Sequence, residues 1–280
     1  AWHRIHSRAS PSAVMEVVPV PSLSDNYAYL LADRASGTCA AVDPVEPAKV
    51  LRAAEESGLR VVMVLTTHSH WDHSGGNAEI ASKLGDGVPI VAGRNDGVET
   101  CTKPVGHGDV LELGRISISV LDTPCHTAGH VCYLAKLNAE DQVAEPGVVF
   151  TGDTLFVGGS GNLNSGTPEQ MAHALHSVLG GLPDETRVFC GHNYTAKNLR
   201  WALQIEPENR AAQEKLQQAE ELDSRKEFIH STIGQEKSFN PFMRAALSSI
   251  QEWAGTPGDA SAALLKVRQG KDAWGRSLQL

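Results

Sequence analysis

Val64-Leu-Thr-Thr-His-Ser-His-Trp-Asp-His-Ser-Gly-Gly-Asn77 decides how the rest of this chain is read. It leaves an apolar run, Val61-Val-Met-Val-Leu65, and delivers His68, His70, Asp72 and His73 within six residues. After Gly75-Gly76 it passes into a helix beginning near Asn77. Imidazole and carboxylate are the ligands that zinc, iron and similar divalent ions take. Two residues apart on an extended loop, His68 and His70 point to one side. Asp72 and His73 follow where the backbone turns, toward a second position beside the first. A lone loop histidine is ordinarily a solvated surface residue. Four ligand-type residues on the loop leaving a buried strand read instead as half of a metal site.

Working outward, the same arrangement recurs. The alternating run at 116–120 ends in Asp122-Thr-Pro-Cys-His-Thr-Ala-Gly-His130, the run at 148–151 ends in Gly152-Asp153-Thr154, and the run at 187–190 ends in Gly191-His192-Asn193-Tyr194. His126, Asp153 and His192 thus join the first cluster as residues at strand ends, where rigid positions converge on one edge of a sheet. Five imidazoles and two carboxylates exceed what one four- or five-coordinate ion uses and suit two ions sharing a bridge. The remaining histidines lack this setting, and His130 is the one expected to support a ligand from behind.

Further strands are expected at 16–20, 27–31, 38–42, 60–65, 89–92 and 131–135, and helices at 47–57, 77–84 and 168–179, the last opening at Thr167-Pro168. Beyond Tyr194 no strand is expected, and helices are read at 197–205, 209–226, 241–253 and 260–268. A boundary therefore falls near residue 194. Residues 15–194 read as a mixed α/β metal-binding domain and residues 195–280 as a helical, substrate-binding domain.

Composition bounds the function. At 280 residues and 41% hydrophobic content the chain has enough apolar material for a large globular core, and no apolar run approaches the roughly 20 residues of a membrane span. A net charge of -9 disfavours nonspecific nucleic-acid binding. Five cysteines, an odd number without a CxxC pair, indicate buried thiols in a reducing compartment. Residues 1–14 carry Arg4, Arg8 and no acid, the composition of the tail of a mitochondrial or other organelle-matrix targeting segment. A disordered extension, or a cytoplasmic form starting at Met15, is the alternative.

His68-Ser-His-Trp-Asp-His73 resembles the HxHxDH loop of the metallo-β-lactamase superfamily. Thr123-Pro-Cys-His-Thr-Ala-Gly-His130, Phe150-Thr-Gly-Asp-Thr-Leu-Phe156, Cys190-Gly-His-Asn-Tyr-Thr195 and Asn240-Pro-Phe-Met-Arg244 are similar to the glyoxalase II (hydroxyacylglutathione hydrolase) family within it. That resemblance, over 15–280, implies an α/β fold: a four-layer αβ/βα sandwich of two mixed sheets, with a C-terminal helical domain. It implies His68, His70 and His126 on one divalent metal, Asp72, His73 and His192 on another, and Asp153 between them, the ions being zinc, iron or manganese. The implied activity is hydrolysis of S-D-lactoylglutathione, a small-molecule glutathione thioester, by a metal-bridging hydroxide, with Asp72 and Asp153 catalytic and the chain a monomer.

Tyr194, Arg268 and Lys271 match the family's contacts to the tripeptide. Asn162 and Asn164 depart from it, standing where the family carries a lysine and an aromatic. The departure opens the alternative of another thiol carrier. A mono-iron persulfide dioxygenase using His68, His126 and Asp153 is a rival of the same fold, and a degenerate binding protein is a third reading.

Overall fold

The first sheet grows by alternation of faces. A computed structural model describes residues 15–85, 87–138 and 146–277, so the targeting segment expected at 1–14 lies outside the described residues. β1 (Met15–Ser22) and β2 (Asn26–Asp33) form a hairpin, and β3 (Thr38–Val42) returns antiparallel to β2. Helix α1 (Pro47–Glu56), with Pro47 in its first turn, crosses over to β4 (Arg60–Thr66), which runs parallel to β3. The single turn α2 (Trp71–Ser74) and helix α3 (Asn77–Leu84) follow, and β5 (Ile90–Gly93) and β6 (Lys103–Val105) extend the parallel half. Strand order is β1-β2-β3-β4-β5-β6.

The second sheet is built from β7 (Val110–Leu113), β8 (Ile116–Asp122), β9 (Val131–Leu137) and β10 (Val148–Gly152). A two-stranded ribbon, β11 (Leu155–Phe156) and β12 (Gly159–Ser160), precedes α4 (Pro168–Ala172), which opens with a Thr167/Gln170 capping box and widens into π-helix over His173–Leu179. β13 (Arg187–Cys190) then pairs in parallel with β10. Beyond it come α5 (Thr195–Ile205), α6 (Arg210–Arg225), β14 (Ser231–Thr232), α7 (Ile233–Phe239), α8 (Ser248–Ala254) and α9 (Ala260–Ser277). The order is β14-β13-β10-β9-β8-β7.

Three observations correct the reading of the sequence. A strand does occur after Tyr194: β14 pairs antiparallel with β13 and closes one edge of the sheet. The helix expected at 241–253 begins only at Ser248, because Asn240 precedes a proline and caps Phe242 N–H with its own side chain. The helix expected to stop at 268 runs on to Ser277.

Successive strand residues point to opposite faces, and that sorts the core into layers. Along β2, Tyr27, Tyr29 and Leu31 enter the core between the sheets, with Ile116, Ile118, Tyr133 and Phe150 opposite. Ala28, Leu30 and Ala32 face the other way, under α1 and α3 with Val50, Ala54 and Ile80. On the far side of the second sheet Leu134, Val149 and Val188 pack against Met171, Leu175, Trp201 and Leu264. The result is helix, sheet, sheet, helix, the four layers expected. Covered on both faces, β2 and β10 are buried at every position instead of alternating. No described helix is long and apolar enough to cross a membrane.

Candidate metal centre

All seven ligand-type residues leave strand ends at the same edge of the sandwich, and their donor atoms converge. His70 Nδ1 lies 3.1 Å from His68 Nε2 and 3.0 Å from His126 Nε2. Beside this triangle, His192 Nε2 lies 3.3 Å from both His73 Nε2 and Asp72 Oδ2. Asp153 sits between the two: Oδ1 is 3.3 Å from His73 Nε2, and Oδ2 is 3.4 Å from both His126 Nε2 and His192 Nε2. The groups His68/His70/His126, Asp72/His73/His192 and His68/His73/Asp153 each have the compactness to hold a metal ion.

Local folding explains this convergence. Asp43, at the end of β3 with φ +47, turns its carboxylate across the neighbouring strand. There it accepts from Thr67 N–H at 2.8 Å and Thr67 Oγ1 at 2.7 Å, which fixes the start of the His68 loop. Asp96 braces the same loop to the next one by accepting from Ser69 N–H and Gly129 N–H. Gly152, φ +45, lets β10 turn so that Asp153 enters the centre, and a Cβ there would lie 2.5 Å from Thr67 Oγ1. A Cβ on Gly191 would lie 2.4 Å from Asp153 Oδ1, so only glycine leaves room for the carboxylate.

Hydrogen-bond partners settle which nitrogen of each ring is free. A carboxylate or carbonyl oxygen accepts only, so His73 Nδ1 donates to Asp43 Oδ2 at 3.0 Å, His192 Nδ1 to Asp25 Oδ1 at 2.8 Å and His126 Nδ1 to the Asn162 carbonyl at 3.0 Å. Thr67 spends its proton on Asp43, and His68 Nδ1 therefore donates to Thr67 Oγ1 at 3.1 Å. All four rings turn Nε2 toward one another and toward Asp153, whose Oδ1 is buried without a hydrogen-bond partner. Such a gathering of donor atoms is repulsive unless cations sit among them, as protons on His73 and His192 or as divalent metal in their place. The residues fit divalent metal, and an N/O donor set suits zinc, iron and manganese alike. His130 donates from Nδ1 to the Thr123 and Thr154 hydroxyls and accepts the Asp153 N–H at 3.2 Å, supporting that ligand from behind.

The electrostatics have the same pattern. Burial opposes charge on His192, yet hydrogen bonds to Asp153 and Asp72 raise it to about 10. Burial opposes charge on His73 as well, but the charges and hydrogen bonds of Asp153 and Asp43 together raise it. Burial, then the charge of His73, holds His68 well below the usual imidazole range. The hydrogen bond from His192 lowers Asp72, and the charge of His73 lowers Asp153 against its burial. Metal ions binding here therefore displace protons from His73 and His192. Burial pushes the Cys125 thiol up to about 11 and the Cys190 thiol to about 12, so neither is a nucleophile at neutral pH.

Residues 23–192 match the metallo-beta-lactamase superfamily, and residues 193–274 match the hydroxyacylglutathione hydrolase C-terminus. Over 262 residues the chain is 44% identical to the cytoplasmic hydroxyacylglutathione hydrolase of Arabidopsis thaliana, covering 93% of this chain and 99% of that one. The chain belongs to the hydroxyacylglutathione hydrolase family. Among solved structures, ETHE1 from Myxococcus xanthus is similar with TM-score 0.62 and 26% identity, covering 91% of this chain and 90% of that one. TTHA1623, solved in a di-iron-bound form, is similar with TM-score 0.53 and 26% identity, covering 80% of this chain and 98% of that one.

Family membership directs attention to the wall beside the donor cluster. The Tyr194 ring stacks on His192, centroids 4.8 Å apart and planes 6° apart, with Phe156 edge-on to both. Arg268 and Lys271, one turn apart on α9, lie over the Phe242 ring and are nearly buried, at 9% and 8% exposure. Arg268 donates to the Ser160 carbonyl at 3.1 Å and to Asp272 at 2.6 Å; Lys271 donates to Asn198 Oδ1. Asn162 and Asn164 have exposed side chains on the segment that follows β12. Asp25, Asn26, Asp43, Thr67 and Asp96 escaped the sequence reading. Asp43 carried a legible signal, an acid at a strand end, but its Pro44 neighbour made it look like a simple turn.

Proposed function

We propose that the chain is a binuclear thioesterase converting S-D-lactoylglutathione and related 2-hydroxyacyl-glutathione thioesters to the 2-hydroxy acid and glutathione. The carrying observation is the pair of donor triads with Asp153 between them, in a chain 44% identical over nearly its whole length to a hydroxyacylglutathione hydrolase. His68, His70 and His126 would hold one divalent ion and Asp72, His73 and His192 the other, each zinc, iron or manganese. Bound there, the ions would lower the pKa of water toward roughly 7 and polarise a carbonyl oxygen.

This chain's own residues do the rest. Asp153 and Asp72 orient the attacking water, and Asp153 takes up its proton through Oδ1. Water oxygen adds to the thioester carbon, the C–S bond breaks, and the thiolate leaves with little acid assistance because its conjugate thiol has a pKa of about 8.5. Tyr194 and Phe156 close the His192 side against bulk water. Residues 195–280, through Arg268 and Lys271, supply positive charge for the carboxylates of the tripeptide. Asn162 and Asn164 contact it without charge, which weakens the grip relative to a lysine there by about 10- to 100-fold. The protein acts as a monomer, which its elution volume on gel filtration tests.

The deciding experiment follows loss of thioester absorbance from S-D-lactoylglutathione and counts metals on the same sample. Hydrolysis with two ions per chain supports the reading. No hydrolysis with two ions bound overturns the choice of carrier, and a single iron with oxygen uptake on glutathione persulfide overturns the reaction class. A location set by residues 1–14, in mitochondrion or other organelle and not the cytoplasm, is tested by imaging tagged chains with and without them.

A further inference from the structure

One short turn far from the metal loop in sequence touches the Asp72/His73/His192 triad at two of its three members. The β1–β2 turn presents Asp25, whose Oδ1 accepts from His192 Nδ1 at 2.8 Å. The next residue, Asn26, donates through Nδ2 to Asp72 Oδ2 at 2.9 Å and to the Asp72 carbonyl at 3.0 Å. The backbone locks the same two segments together. Asn193 N–H donates to the Asp25 carbonyl, Tyr27 N–H donates to the Gly191 carbonyl, both at 2.8 Å, and Asn26 pairs with His192 as an antiparallel bridge. The turn itself is anchored from outside, since Leu23, at φ +47, donates its N–H to Glu46 at 2.6 Å. Ser24 Oγ fixes the other oxygen of Asp25 at 3.0 Å. Among the described residues, no hydrogen bond of Asp25 or Asn26 reaches His68, His70 or His126.

We propose that the Asp25-Asn26 turn is the positioning element of the Asp72/His73/His192 triad and sets whether that triad retains its ion. The proposal rests on the two-ion reading above. Of the three donors, His73 is fully buried and tied to Asp43. The other two need a hold. Asp72 has a side chain one-third exposed, free to swing into water once Asn26 is gone. The His192 ring can rotate, or carry its proton on the nitrogen that faces the centre, unless a carboxylate holds that proton on Nδ1. Asp25 is itself 38% exposed at its side chain, so its removal opens no cavity and takes away only the acceptor of the His192 Nδ1 proton. That separates positioning from folding.

The test uses the full chain, stripped of metal and reloaded with Mn(II). Ion affinities are read by chelator competition, and spin coupling between the two ions is read by electron paramagnetic resonance. Asp25→Ala and Asn26→Ala each weaken one of the two ions by about 10- to 100-fold and leave the other unchanged. The coupled signal gives way to that of an isolated ion, and in Asp25→Ala the unfolding temperature of the metal-free protein is unmoved, whereas buried Asn26→Ala is read by the ion affinities alone. Asp25→Asn keeps an acceptor oxygen and recovers part of the lost affinity. Equal loss of both ions, or no loss, overturns the proposal. A wild-type chain that takes one ion removes the two-ion reading and the turn's role with it. Two ions in the wild type and unchanged affinities in Asp25→Ala remove the turn's role alone.

Discussion

The His68/His70/His126 triad is backed by neutral oxygens, whereas the Asp72/His73/His192 triad is backed by carboxylates. Behind the first stand the Thr67 hydroxyl and the Asn162 carbonyl. Behind the second stand Asp43 and Asp25, with Asn26 on the carboxylate ligand. A carboxylate partner makes an imidazole a more basic ligand than a neutral one does. The first triad relies on burial and rigidity, the second on charge. Burial, helped by the charge of neighbouring histidines, drives His68 and His126 down, while the second triad's His73 and His192 are raised by carboxylates against the same burial. One sheet edge thus holds two differently tuned groups of donors a few ångströms apart.

The comparison is broken most completely at the residue both triads share. Asp153→Ala removes the carboxylate between them, and kcat is expected to fall about 10³-fold or more, about 4 kcal/mol in barrier. Steady-state kinetics alongside metal analysis checks this. Activity within tenfold of wild type would mean that Asp153 is not the shared group.

Thr67→Val, nearly isosteric, strips the hydroxyl behind His68, and with it one of the two Thr67 hydrogen bonds to Asp43, and leaves Asp25, Asn26 and the His73–Asp43 bond in place. The expected outcome is a loss of about 10- to 100-fold in affinity for one ion, seen by chelator titration. The ion lost should be the one that Asp25→Ala spares, so the double variant should hold neither tightly. If both substitutions weaken the same ion, the two triads are not independent.

Arg268→Ala leaves both triads intact and acts on the wall beside them. KM for the glutathione thioester is expected to rise about 10- to 100-fold, with kcat changed only a few-fold. A matching fall in kcat instead would place Arg268 in the chemistry and not in binding.

The smallest effect comes from a residue that touches neither triad. Glu236 is buried, accepts from Gly158 N–H, Asn240 and Ser231, and has its pKa pushed from 4.5 to about 7 by burial. Between those values the folded chain holds a proton that the unfolded chain has lost, so this group makes stability fall as pH rises through the window. Its cost is fully felt above about pH 7. Glu236→Gln keeps the size and hydrogen-bonding capacity, and denaturant melts at pH 5 and pH 8 should show the wild-type slope reduced. An unchanged slope would mean that Glu236 is ionised throughout.

Much of this was legible before folding, and the reason is locality. A strand end carrying a histidine or aspartate is visible within a few residues, so His68, His70, Asp72, His73, His126, Asp153 and His192 stood out without coordinates. The sandwich was implied by the resemblance of the motifs to the metallo-β-lactamase superfamily, while runs such as 27–31 and 148–151 by themselves showed only strands. Short or remote elements were not. β6 and β7 are three- and four-residue segments, and β14 is two residues recognisable only by their pairing with β13. The expected helix at 241–253 lost its first half to Asn240, whose side chain also donates to the Phe156 and Gly159 carbonyls.

What the sequence by itself determined is therefore the inventory: a strand-end donor set, its order along the chain, and an α/β frame to carry it. The division into two triads was already implied by the family resemblance of the motifs, and the tertiary structure alone decided what stands behind each donor. Asp25 meets His192 across 167 positions and Asp43 meets His73 across 30. Local propensity encodes neither contact. Both depend on where closed loops and packed sheets bring distant backbone segments, and only there does a turn aspartate become the partner of a metal-site histidine.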